Sequence, residues 1–112
     1  MSLGLIKENI DLIKAFKNAK HAGRRNLIAI ADNNFVKCLA CICYNTLKGK
    51  IPLDESLKRQ MKRHKSSLRL LSNRNTSLAK KKKHLVQTGG SFLYPILVPA
   101  IARIIQLLGE QH

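Results

Sequence analysis

The chain has no tryptophan, and aromatic residues make up 4% of its 112 positions. Proteins that hold single strands stack bases on aromatic side chains, so that mode of nucleic-acid recognition is disfavoured. Acidic residues are scarce as well, 6 Asp and Glu against 21 Lys and Arg. Those few carboxylates (Glu8, Asp11, Asp32, Asp54, Glu55, Glu110) are scattered, and no nucleophile elbow, phosphate-cradling glycine loop or metalloprotease helix accompanies them. Neither catalysis nor a cofactor is expected. Three cysteines are too few for a disulfide framework, and Lys7 and Glu8 interrupt the apolar start that a secretory signal needs. Reduced thiols in an intracellular protein are expected.

What the chain has in excess is positive charge. A formal net charge of +15 exceeds what solubility requires and implies a polyanionic partner, either nucleic acid or an anionic membrane surface. The length allows one small domain with a tail.

The hydrophobic pattern is helical throughout. Leu5, Ile6, Ile10, Leu12, Ile13 and Phe16 follow the 3.6-residue period and predict a first amphipathic helix over 5–19. Lys20-His21-Ala22-Gly23 is expected to break it, and residues 24–31 form a short second helix with Leu27, Ile28 and Ile30 apolar. Asp32 offers an N-cap for a third helix over 35–47 that is apolar almost all round, as the central helix of a bundle is. Its Cys38 and Cys41 are neighbours at helical spacing. Zinc wants four ligands, and His21, His64 and His84 stand in no recognisable pair spacing, so Cys38, Cys41 and Cys43 read as core thiols and no metal site is expected.

Gly49 and Pro52 mark a turn. Asp54, Glu55 and Ser56 suit the start of the next helix, whose stripe Leu57, Met61, His64, Leu68 and Leu71 advances in steps of four and three. Opposite that stripe lie the basic residues Lys58, Arg59, Lys62, Arg63, Lys65 and Arg69. Arg74 and the block Lys80, Lys81, Lys82 and Lys83 follow, so 58–84 holds eleven cations and no carboxylate. An ordinary solvated helix mixes both signs. These eleven residues are the candidate nucleic-acid contacts, and the lysine block also has the composition of a nuclear import signal. Ser72-Asn73-Arg74-Asn75-Thr76-Ser77 has the composition of a flexible loop.

Beyond the block come Gly89-Gly90, then Phe92, Leu93, Ile96, Leu97, Pro99, Ile101, Ile104, Ile105 and Leu108. Past Pro99, Ile101, Ile104, Ile105 and Leu108 share one face and Arg103, Gln106 and Glu110 another. Such a helix lies on a bilayer or on a protein more readily than it spans a membrane. Three regions are therefore expected: a helical bundle over 1–72 with a basic last helix, a basic flexible linker over 73–90 with a Gly89-Gly90 hinge, and an apolar C-terminal docking tail over 91–112.

The run of basic residues, Gly89-Gly90, apolar residues, Pro95, three apolar residues, Pro99 and an apolar helix resembles the C-terminal half of the adenovirus core protein X precursor, the precursor of the mu DNA-condensing peptide. It also resembles short basic proteins of Polinton-type transposons and adintoviruses, where the likeness extends back through Leu47-Lys48-Gly49-Lys50-Ile51-Pro52-Leu53. The resemblance implies a DNA-condensing core protein carried in a virion and acting in the host nucleus, with the tail on a capsid protein. It also makes Gly89-Gly90 a candidate cleavage site, with cleavage after Gly90 left open by one departure. Gln87 departs from the aliphatic residue that the adenoviral protease prefers four positions before the cut.

The expected fold is all-α and the expected function is sequence-independent binding and condensation of double-stranded DNA, with the tail docking on a capsid protein or an anionic membrane. Two other classes compete. A membrane-active entry protein would use the lysines to hold its tail to anionic lipid, and a helical protein-interaction module would use its charge for solubility alone.

Overall fold

The computed structural model describes residues 3–48, 54–88 and 94–110. Eight helices run through them, with no strand among the described residues: α1 (Leu3–Glu8), α2 (Ile10–Asn18), α3 (His21–Ala29), α4 (Asn33–Leu47), α5 (Glu55–Arg63), α6 (Lys65–Ser72), α7 (Leu78–Thr88) and α8 (Tyr94–Glu110). The all-α expectation holds.

The first expected helix divides at Asn9. The Asn9 side chain donates to the Leu5 carbonyl at 2.9 Å, the local competition with helical bonding that makes Asn a poor interior residue. The break expected at 20–23 is shorter: the chain turns at Ala19 and Lys20, and α3 resumes at His21 with Gly23 inside it. A Cβ at Gly23 would stand 3.2 Å from the Ala19 Cβ, so glycine permits this close approach. Arg24 fixes the corner, its Nε donating to the Phe16 carbonyl at 3.0 Å and its Nη2 to the Lys17 carbonyl at 3.3 Å. Both carbonyls belong to the last turn of α2, where they lack helical partners. Leu12 and Ile30, expected on apolar faces, are exposed.

Asp32 caps α4 as expected, accepting from the Phe35 amide at 2.8 Å. This helix is the centre of the fold. Phe35, Val36, Cys38, Leu39, Ala40, Ile42 and Cys43 are buried, and α6, α7, α8 and α1 all pack on it. Phe35 meets Phe16 edge to face, ring centroids 6.4 Å apart. Its two buried polar side chains turn back on their own helix. Asn45 Nδ2 donates to the Cys41 carbonyl at 2.8 Å and Thr46 Oγ1 to the Ile42 carbonyl at 2.7 Å.

Asp54 caps α5 in the same manner, accepting from the Leu57 amide at 2.8 Å. The single helix expected from 57 to 71 turns at His64, with φ −110° and ψ 25°. That turn lets α5 pack on α8 while α6 packs on α4, and Leu57, Leu68 and Leu71 still reach the core.

The flexible-linker expectation fails for most of its length. The 73–77 segment is an ordered turn: Asn73 Oδ1 accepts from the Asn75 amide at 2.9 Å, and the Thr76 amide donates to the Asn73 carbonyl at 3.1 Å. Ser77 Oγ then accepts from the Lys80 amide at 3.2 Å, capping α7, which carries the whole lysine block. Lysine is a good helix former, and Leu85 supplies a fully buried anchor. A hydrogen bond between His84 Nε2 and Ser67 Oγ at 2.9 Å ties α7 to α6.

The expectation of a docking tail also needs correction. In α8, Ile96, Ala100, Ile101 and Ile104 are buried, and Ile105 packs against the same cluster. Every helix from α1 to α8 contributes to that one core. These side chains are occupied by the fold and are not free to dock elsewhere. Pro95 stands in the first turn of α8, where a missing N–H costs little, whereas Pro99 lies inside the helix with its ring exposed. Leu97 and Leu108 lie in α8, their side chains outside the described set. Phe92, Leu93, the Gly89-Gly90 hinge and the turn at Gly49 and Pro52 lie outside the described residues. Among the described residues no single helix is long and apolar enough to cross a membrane.

Candidate nucleic-acid interface

Along α4 and its C-cap, Lys37, Cys41, Tyr44 and Lys48 follow one another in steps of four, three and four. That spacing sets them on a single face. α5, α6, the 73–77 turn and α7 border this face, and three adjoining cavities open along it. The first, about 240 Å³, is lined by Lys37, Ala40, Cys41, Tyr44, Ser72, Arg74, Leu78 and Lys81. The second, about 370 Å³, shares Tyr44 and Ser72 with it and adds Leu47, Lys48, Lys65 and Arg69. The third, about 260 Å³, shares Leu47 and Lys65 and adds Lys58, Met61 and Lys62.

Among the described residues, eight cations therefore line one continuous groove, and no carboxylate is among those that line it. Outside it, Glu55 reaches Lys58 Nζ at 3.5 Å with both side chains exposed, a contact that contributes little in water. Tyr44 organises the middle of the groove. Lys48 Nζ and the Arg74 guanidinium carbon each lie 5.6 Å from its ring centroid, within the range of cation–π attraction.

Of the residues expected to bind nucleic acid, Lys58, Lys62, Lys65, Arg69, Arg74 and Lys81 line the groove. Arg59, Arg63, Lys80 and Lys83 are exposed and Lys82 is half-buried, none of them lining these cavities. Lys37, Tyr44 and Lys48 are additions from the structure. Their signal in the sequence is a stripe of Lys37, Tyr44 and Lys48 along the apolar central helix.

Lys81 differs from its neighbours in the block, being 7% exposed. Burial holds its ammonium below the usual lysine range, an effect opposed by the Cys43 sulfur. Burial pushes the Cys43 thiol up to about 12 despite the nearby Lys81 charge, and the Cys38 thiol likewise to about 12. Both are inert thiols at neutral pH. Among the described residues no group of three or more His, Cys, Asp or Glu side chains gathers where a metal could be held. The chain matches no protein family, no curated protein and no solved structure.

Proposed function

We propose that this protein binds double-stranded DNA through its phosphates, without sequence preference, and condenses it as a core protein of an adenovirus-like virion or mobile element that acts in the host nucleus. The observation that carries the reading is the groove of eight cations with no carboxylate among the described residues of its wall. A protein that needed its charge only for solubility would intersperse both signs over its surface. Here the cations come from four separate segments, α4, α5–α6, the 73–77 turn and α7, and converge on one side.

The mechanism follows from duplex electrostatics. Each phosphate neutralised by Lys or Arg releases condensed counterions, which favours binding at low salt and is indifferent to base identity. Arg59, Arg63, Lys80 and Lys83, exposed outside the groove, leave charge for a second stretch of DNA. Bridging of that kind, with a net charge of +15 per chain, draws duplexes together. The resemblance to mu-type precursors supports the same reading.

Measuring affinity for unrelated duplexes over a range of salt tests it. With roughly six to eight phosphates contacted, log affinity falls against log salt with a slope of about −5 to −7, alike for all sequences. A slope near zero would point instead to a protein-interaction module. A marked sequence preference would point to base reading by a helix such as α5 in a major groove.

A further inference from the structure

The cavity at the α7 end of the groove differs from its neighbours in holding a buried lysine, Lys81. Lys37, Arg74 and Lys81 surround about 240 Å³, with Tyr44, Ser72 and Leu78 completing the wall. A buried lysine is ordinarily matched by a carboxylate, yet none lines this cavity among the described residues. Cys43, the group whose charge Lys81 would feel, is kept protonated by its own burial. Arg74 is held in position over the Tyr44 ring. Leu78 is the first residue of α7, so the positive end of a helix borders the same space. Three cations and a helix start thus border a volume to which the described residues supply no carboxylate.

We infer that this cavity is a phosphomonoester site that takes the terminal phosphate of a nucleic-acid strand lying in the groove. A phosphodiester in mid-strand carries one negative charge. A terminal phosphate carries about −1.5 to −2 at neutral pH and offers three acceptor oxygens, which answers three cations. The choice of a strand end as the source rests on the polyanion reading of the groove, whereas the affinity for phosphate rests on the cavity alone.

Two measurements on the full chain separate these. The first compares short duplexes identical except for a 5′-phosphate or a 5′-hydroxyl, and the second follows backbone amides by NMR as inorganic phosphate is added. The phosphorylated duplex binds about tenfold tighter or more, as charge-assisted hydrogen bonds to one added dianion predict, and the advantage disappears in Lys81→Met and Arg74→Gln. Methionine keeps the buried stem of Lys81. Should that variant fail to fold, Arg74→Gln, at an exposed position, carries the same comparison. Inorganic phosphate shifts the amides of residues 74–81 and of Lys37. Equal affinity for the two duplexes together with unmoved amides overturns the inference and leaves the groove intact. Moved amides with equal duplex affinity, or with no duplex binding, uphold the cavity and assign it to free phosphate, and in the second case the groove reading falls by itself.

Discussion

Helices α4 and α7 lie against one another with opposite compositions. α4 carries a single charge, Lys37, and satisfies its buried Asn45 and Thr46 donors on its own carbonyls. α7 carries four lysines and buries one of them, Lys81, with no carboxylate beside it. The difference is a matter of reach. A short amide or hydroxyl finds a carbonyl four residues back, whereas the long lysine stem carries its ammonium beyond its own helix. The donors of α4 are thus met within the helix, with the Asn45 Oδ1 left buried without a partner, whereas the lysine of α7 opens onto the groove.

The apolar side of this comparison depends on α8, and truncating the chain after Gly90 is the largest way to break it. Burial of Ile96, Ile101 and Ile104 contributes roughly 5–9 kcal/mol at about 1.5–3 kcal/mol for each side chain. Domains of this size are stable by only ~5–15 kcal/mol. Loss of the cooperative thermal transition is expected; a truncated chain that still melts sharply would show α8 to be an appendage after all. Within α4 itself, Phe35→Ala removes one of the largest buried side chains and its edge-to-face partner contact. Denaturant unfolding is expected to report a loss of about 3–5 kcal/mol.

The thiols of α4 and the lysine of α7 respond to pH in opposite directions. Cys38 and Cys43 rise from 9.0 to about 12 on folding, so between those values the unfolded chain has lost protons that the folded chain retains, and stability falls as pH rises. From pH 9 to 10 the loss is about 2–3 kcal/mol for the two together. Lys81, lowered by burial from 10.5, works the other way: its cost is present at neutral pH and fades as pH climbs toward 10.5. Urea titrations from pH 8 to 10 check the sum, and a double Cys38→Ala, Cys43→Ala variant that keeps the same slope would refute the assignment.

The smallest expected effect sharpens the polar side. Changing Lys58, Lys62 and Lys65 to Gln should flatten the salt dependence of DNA binding by about 2–3 units, since each groove lysine neutralises about one phosphate. The same number of changes at Lys80, Lys82 and Lys83, outside the groove, should flatten it by less than about 1 unit. An equal effect of the two triples would mean that charge alone matters and the groove does not.

Helix type, the centrality of α4 and the caps at Asp32 and Asp54 were legible because each rests on local chemistry: a 3.6-residue period, or one oxygen three residues before an amide. The lysine block was misread for want of a single clue, Ser77, whose oxygen caps α7 and turns a polar stretch into a helix start. Leu78 and Leu85, seven apart, already marked an apolar line through it. The tail was misread because an amphipathic stripe states that a face is buried without stating against what. The groove was half legible: the run from Lys58 to Lys81 showed as a charge excess, but Lys37 and Lys48 join it only through the packing of α4 on α6 and α7, a long-range contact that no window of sequence contains.

Tyr44 has an optical consequence. With no tryptophan and only two tyrosines in the chain, ultraviolet emission comes from Tyr44 and Tyr94, and Tyr44 stands in the wall of two adjoining cavities between Lys48 and Arg74. An anion drawn to either cation changes the field on that ring, so the unlabelled protein carries its own binding reporter, and Tyr44→Phe supplies the blank.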